Sequence, residues 1–323
     1  MPQHFDLIAI GDAKIDAFLT VDNSNKHFRL NKDTDELCVK LGDKAFVDNI
    51  HILPGGNASN VAVSISRLGF KAAIIAEIGK GVFSEKVIEN FKKENVSTDL
   101  LKITDVNTSL SLVINYQSER TILSERIEKE NDFDFSNISA DWIYLTSLSK
   151  KWTNAYEKAL HFAKSYNMRI AFNPGTAQLD GGFPLIADVV RNTEILFINK
   201  EEARKILLSR DASFNGKTIE EMLLEIQKIG ARNVVITDGS NGSFLIDEFG
   251  RTFRKQEKEH VIVSRAGAGD SYASGFLAAI LAGKDPQIAM EWGSQNASSV
   301  ISKVGAQIGL LTREEMEERL RNL

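Results

Sequence analysis

The chain has almost no cysteine. Cys38 stands alone in 323 residues, which excludes an internal disulfide and any cysteine-cluster metal site and fits a reducing compartment. It also lacks a concentration of charge. The formal net charge is -5, with 39 basic and 44 acidic residues interspersed, so no basic stripe offers itself to nucleic acid or to an anionic membrane surface. No apolar run approaches the ~18 residues that argue for a membrane-spanning helix. The N-terminus passes from Met1 into Phe5-Asp6-Leu7-Ile8-Ala9-Ile10 with no basic segment followed by a cleavable apolar one, and a cytoplasmic protein is expected. The histidines His4, His27, His51, His161 and His260 show no ligand spacing. Proline-rich or serine-rich linkers, internal repeats and low-complexity tracts are missing as well. What is left is a soluble globular composition, 43% hydrophobic, able to bury a large core and suited to small-molecule partners.

Short β-rich runs alternate with helical segments almost from end to end: DLIAIG, NASNVAVSISRLG, AAIIAEIG, SEKVIENFKKEN, WIYLTSL, TNAYEKALHFAKSYN, RIAFNPG, ILFIN, TIEEMLLEIQKIG and NVVITDG. That rhythm predicts an α/β fold with a mostly parallel sheet and helices on both faces. Residues 17–53 and about 106–128 break it. Both stretches are alternating, polar and free of helical periodicity, and read as antiparallel hairpin material forming a small β lid over one end of the sheet. Near the end, Thr312 and Glu315 make a capping box at the start of a short helix.

The most informative segment is 261–283, VIVSRAGAGDSYASGFLAAILAG. A β-branched run stops at Gly267-Ala268-Gly269-Asp270 and a small-residue helix begins at once. Glycines let backbone N–H groups crowd an anion, the helix start adds its unpaired donors, and Asp270 in the first turn could reach a substrate hydroxyl. A plain strand-to-helix turn explains the same residues taken alone. Three further motifs lie at strand ends or turns, where α/β folds place ligands. They are Gly11-Asp12-Ala13-Lys14-Ile15-Asp16, Pro54-Gly55-Gly56-Asn57-Ala58-Ser59-Asn60, and Asn199-Lys200-Glu201-Glu202. Singly, each has a structural explanation: a solvated strand-end acid, turn chemistry, and a helix N-cap with its capping-box partner.

In this order and spacing, the four motifs resemble those of the ribokinase (PfkB) family of sugar and nucleoside kinases, over residues 5 to 311. Supporting echoes are Phe83, Asn173-Pro174-Gly175, Thr237-Asp238-Gly239 and Gly305-Ala306. The resemblance implies a single ribokinase-like domain over 1–323, a three-layer α/β/α body with a β lid that often pairs with the lid of a second subunit. It implies ATP and Mg²⁺ as cofactors. It makes Asp270 the general base, and the N–H groups of Ala266 to Gly269 an anion hole, a kind of contact worth ~3 kcal/mol per donor in other enzymes. Asn199 and Glu202 become Mg²⁺ holders, mainly through water, and Thr237 and Gly239 part of the nucleotide loop. Asp16, Lys14, Gly55, Gly56, Asn57 and Asn60 fall on the acceptor side.

Departures from the pattern carry information. Asn57 stands where ribokinases proper have lysine and Lys14 where they have asparagine, so ribose itself is not well supported and the acceptor stays open. Ser264-Arg265-Ala266 replaces the usual Asp-Thr-Thr or Asp-Thr-Asn. The aspartate helps bind an activating monovalent cation in many members, so dependence on K⁺ is in doubt, and Arg265 is a candidate fixed charge near the phosphates. Ser294 occupies the position, eleven residues before Gly305, where the family often places Asn or His beside adenine; Asn296 points elsewhere on the same helix. A nucleoside kinase is the near rival, since Phe28, Phe46 and Tyr116 could stack on a base, although they serve equally as lid core or subunit interface. A non-catalytic sugar or nucleotide binder is a further alternative, against which Asp270 stands intact. No Gly-x-x-x-x-Gly-Lys-Ser/Thr loop and no Gly-x-Gly-x-x-Gly after strand one occurs, which excludes a Walker-type ATPase and disfavours a dinucleotide oxidoreductase.

Overall fold

The computed structural model describes residues 3–256 and 261–322, apart from 118, 126, 137 and 217. The first apolar run forms β1 (Gln3–Ile10), which passes through Gly11 into β2 (Lys14–Thr20). A hairpin of β3 (Phe28–Asn31) and β4 (Glu36–Val39) precedes β5 (Asn49–Gly55), and β5 turns directly into α1 (Asn57–Arg67). Then come β6 (Ala72–Ile75), β7 (Glu77–Lys80), α2 (Val82–Lys93), β8 (Lys102–Asn107), β9 (Leu110–Tyr116) and β10 (Glu119–Ser124). Strand and helix alternate through β11 (Ile138–Leu145), α3 (Thr153–Ser165), β12 (Arg169–Phe172), α4 (Thr176–Asp180), α5 (Phe183–Arg191) and β13 (Ile195–Asn199). Two helices, α6 (Lys200–Arg210) and α7 (Ile219–Gln227), then precede β14 (Asn233–Thr237), β15 (Ser243–Ile246) and β16 (Thr252–Lys255). Three helices close the chain: α8 (Ala268–Leu281), α9 (Pro286–Ile301) and α10 (Arg313–Arg321), the last capped by the Thr312–Glu315 box.

Eight strands form one sheet in the order β16-β15-β14-β13-β12-β11-β1-β6, parallel from β14 to β6, with β15 and β16 antiparallel at one edge. Each central strand is buried on both faces, as a parallel sheet requires. On β1, Ile8 and Ile10 join a core with Ala159, Ile186, Ile206 and Ile226 of α3, α5, α6 and α7. Leu7 and Ala9 join another with Val61, Phe276 and Trp292 of α1, α8 and α9. The three layers follow from that period-two alternation. Among the described residues no helix is long and apolar enough to cross a membrane.

The two helix-free stretches meet in space. β2 and β5 border the first, β9 and β10 lie in the second, and together they make a four-stranded sheet in the order β10-β9-β2-β5. β2 pairs with β9 in parallel, and the other two pairings are antiparallel. Each excursion contains an antiparallel hairpin, β3–β4 in the first and β9–β10 in the second, and the β2–β9 pairing joins the two, because without it β2 would leave an unpaired edge. Phe18 and Val113 of this lid pack with Ala266, backed by Leu53 and Val304, so the lid is seated on the loop that leads into α8.

Candidate active site

Two helix starts face each other beneath the lid. At α8 the chain turns through Gly267, whose φ of 77° is left-handed and whose missing Cβ would lie 2.6 Å from the Cβ of Ala306. Only glycine fits there without strain. Asp270 follows in the first turn and is 6% exposed. At α1 the chain turns through Gly56, with φ 96° and a Cβ position 2.4 Å from the Asp12 carbonyl oxygen. Asn57 and Asn60, three residues apart and therefore on one face of α1, both reach across to Asp270. Asn57 Nδ2 donates to Oδ1 at 3.0 Å and Asn60 Nδ2 donates to Oδ2 at 2.8 Å. Burial pushes the Asp270 carboxyl up to about 6, against the opposing pull of the Asn60 and Asn57 hydrogen bonds and the charges of Lys14 and Arg120. A buried carboxyl so raised, in a cleft, marks a candidate functional group.

β2 supplies the residues that the sequence assigns to the acceptor. Lys14 and Asp16 share a face of the strand, with Lys14 Nζ 3.7 Å from Asp16 Oδ1 and donating to Ser111 Oγ at 2.9 Å. Burial raises the Asp16 pKa and Lys14 lowers it. Gly55 is glycine because its Cβ would sit 2.0 Å from Asp16 Oδ2, so the glycine pair exists for close packing around Asp12 and Asp16 as much as for turn geometry. The β1–β2 turn is itself pinned, since Asp12 accepts from the buried Lys129 Nζ and from Ser147 Oγ, both at 3.4 Å.

The opposite wall comes from the ends of β13 and β14. Asn199 and Glu202 form a reciprocal capping box: Glu202 N–H donates to Asn199 Oδ1 and Asn199 N–H to Glu202 Oε2, each at 2.9 Å. Both line the same cleft as Asp270, as does Thr237. Burial raises the Glu202 pKa, opposed by the Asn199 N–H and reinforced by the charges of Asp270 and Glu201. A divalent cation held at Glu202 would relieve that field, and one carboxylate plus one amide oxygen leaves room for the waters that Mg²⁺ keeps. The residues present therefore fit the ion. No cluster of three or more His, Cys, Asp or Glu suited to a metal occurs among the described residues.

Several expected residues do not line this cleft. Gly239 lies in a short turn beyond β14 and does not line the cleft. Ser294 is 2% exposed within α9 and does not line it either, while the neighbouring Asn296 donates to Ser64 Oγ and the Ser271 carbonyl inside the core. Arg265 turns to the lid, 3.1 Å from Glu119 Oε1. The cleft instead receives Arg120, from β10 on the inner side of the lid. Arg120 falls within the excursion read as lid; only the pairing of β10 with β9 turns it inward. Of the N–H groups expected to form an anion hole, that of Ala266 is directed to Ser264 Oγ and that of Ala268 to the Arg265 carbonyl, both at 3.4 Å. Ser264 is 2% exposed and its Oγ also donates to Asn115 Oδ1 at 3.3 Å. A neutral hydroxyl engaged in this way offers no carboxylate to a monovalent cation. Of the lid aromatics, Phe28 is buried, Phe46 is 64% exposed, and neither these nor Tyr116 lines the cleft.

The model of the pfkB family of carbohydrate kinases matches residues 8–313. The chain is 26% identical to 5-dehydro-2-deoxygluconokinase of Bacillus subtilis, with 97% of this chain and 95% of that one covered. Among solved structures it resembles the Methanocaldococcus jannaschii nucleoside kinase, an archaeal member of the ribokinase family, with TM-score 0.78 at 20% identity over 98% of this chain and 99% of that one. It also resembles the Arabidopsis thaliana ribokinase complexed with ribose and ATP, with TM-score 0.77 at 16% identity and 99% of both chains covered. The fold is ribokinase-like.

Proposed function

Because the chain belongs to the pfkB family of carbohydrate kinases, we propose that it moves the γ-phosphate of ATP to a hydroxyl of a sugar or sugar acid, with Asp270 as the general base. One observation carries the reading. Asp270 is a buried carboxylate at the N-terminus of α8, with both oxygens oriented by Asn57 and Asn60, in a cleft it shares with Asp16, Asn199 and Glu202. Phosphoryl transfer needs in-line placement, neutralised charge and a group to take the acceptor proton. Asp270 takes that proton. The α8 start, with Gly267 and Gly269, stabilises the charge in transit. Asn199 and Glu202 would hold Mg²⁺, which when bound neutralises phosphate charge. Asp16 accepts hydrogen bonds from acceptor hydroxyls, and Lys14 and Arg120 put two cations in the cleft, which suits an acceptor bearing a carboxylate. Likeness to a 5-dehydro-2-deoxygluconokinase supports the same class.

The whole chain acts as one kinase unit, and two copies pair through the outer faces of their lids. A nucleoside acceptor is the weaker reading, since the lid aromatics that would stack a base stay out of the cleft. The test is ADP release from Mg-ATP across hexoses, pentoses, sugar acids, sugar phosphates and nucleosides, with Asp270→Asn in parallel. Acceptor-dependent turnover that collapses in the variant is the expected result; a broad panel without any turnover replaces the kinase by a sugar or nucleotide binder.

A further inference from the structure

Asn60 is 4% exposed and Gln307 6% exposed, and behind the Asn60–Asp270 bond runs a chain of amides. Asn90 of α2 donates from Nδ2 to Gln307 Oε1 at 2.9 Å. Gln307 donates from Nε2 to Asn60 Oδ1 and to Ser59 Oγ, each at 3.0 Å. Asn60 then donates to Asp270 Oδ2 at 2.8 Å. We infer that Gln307, supported by Asn90, is a positioning residue for the base: it locks the Asn60 amide so that N–H, never C=O, faces the Asp270 carboxylate. This rests on Asp270 being that base.

The polarity of the chain leaves one solution. A carboxylate only accepts, so Asn60 must present its NH₂, which turns the buried Oδ1 the other way. That oxygen needs a donor, and Gln307 provides it; Gln307 Oε1 in turn needs the Asn90 NH₂. Flipping any one amide leaves buried groups unpaired, at about 1–3 kcal/mol each, and a flip at Asn60 sets a lone pair against Asp270. The turn carrying Gln307 is held independently, because Arg67 Nη1 donates to the Gln307 and Leu310 carbonyls at 2.9 and 3.0 Å while its guanidinium is paired with Glu94. The same turn places Ala306 against Gly267. One short segment therefore contacts both helix starts that make the site.

Besides these amides and Asn57, the groups among the described residues that act electrostatically on or from Asp270 are Lys14 on β2, Arg120 on β10, Glu202 on α6 and Tyr144 on β11. None of them is removed by Gln307→Leu, so the substitution isolates the relay. The test is a carboxyl ¹³C NMR titration of the full chain, with the Asp270 resonance assigned by its loss in Asp270→Asn. In Gln307→Leu the Asp270 midpoint rises by roughly one unit, and in Asn90→Leu it rises by less. This readout needs no acceptor. With the acceptor that the panel identifies, Gln307→Leu lowers kcat roughly tenfold, leaves KM for ATP unchanged, and has no further effect in an Asn60→Ala background. An unmoved midpoint in folded Gln307→Leu overturns the inference, as do losses that multiply in the double variant. If Gln307→Leu does not fold, the Asn90→Leu titration decides by the same criterion. A shifted midpoint with no turnover on any acceptor sustains the relay and removes the kinase reading instead.

Discussion

At the scale of single residues, the site depends on what Asp270 is made to be. Its carboxyl is raised from 3.8 to about 6 chiefly by burial, and in the proposed mechanism the ionised form is the base. The acid limb of kcat/KM therefore falls near pH 6, with activity rising as pH rises through it and level above; a limb near pH 4 would mean that burial is relieved in the working enzyme. The stability sign is opposite. An acid whose folded pKa is raised binds more protons folded than unfolded between about 4 and 6, so the wild type loses stability as pH rises through that window. Asp270→Asn should accordingly gain more in Tm over wild type at pH 8 than at pH 5, while losing at least ~100-fold in kcat. Thermal melts at both pH values check the first part and initial rates the second. The two arginines at the lid separate in the same way. Arg120→Met should lower kcat/KM roughly tenfold, whereas Arg265→Met breaks an exposed pair with Glu119 and should change rates by less than about twofold; equal losses would restore Arg265 to the phosphate site.

At the scale of elements, the glycines of Gly267-Ala268-Gly269 do different jobs that the motif does not distinguish. Gly267 is held at φ 77° against Ala306, whereas a Cβ at Gly269 would meet nothing within 4 Å. Gly267→Ala should destabilise the fold by about 1–3 kcal/mol. Gly269→Ala should melt no lower than wild type, since alanine favours the helix by roughly 0.5–1 kcal/mol, yet raise KM for ATP, because its methyl occupies the approach of a phosphate to the helix start. Urea unfolding with ATP titration of both variants separates structure from function; a Gly269→Ala enzyme with unchanged KM would make that glycine ornamental. The motifs themselves were legible because a glycine turn opening a helix leaves a local signature. Arg120 was not, because an exposed-looking arginine on an alternating strand points inward or outward according to pairing partners far away in the chain.

At the scale of the whole molecule, the lid leaves an apolar outer face. Leu123 pairs with Leu112, Leu112 with Ala17, and Ala17 with Ile52, so one row crosses all four strands; Ile114, Leu19 and Ile50 make a second. Leu123 and Ile50 are 54% and 59% exposed. Rows of this kind mark a buried face in an assembly, and β10 and β5 are open edges. Light scattering at micromolar concentration should give a dimer mass for the wild type and a monomer for Ile50→Asp with Leu123→Asp, the secondary structure being retained; a monomeric wild type would end the lid-dimer proposal.

The alternation of β-rich and helical segments determined the layered α/β body, since a run that is apolar on both sides can only be the interior of a covered sheet. Glycine turns before helices likewise located Asp270, Asn57 and Asn60, and the N-cap pattern located the Asn199–Glu202 box, because these are short-range signals. Which of those residues meet was decided by tertiary structure alone. Asn57 and Asn60 are separated from Asp270 by more than two hundred residues, and their amides turn to it because α1 and α8 start side by side. Ser294 and Arg265 show the same dependence: their places in a motif suggest the nucleotide, and the structure buries one within α9 and pairs the other with Glu119. Local chemistry sets what a side chain can do, and the crossing of distant elements sets what it does it to.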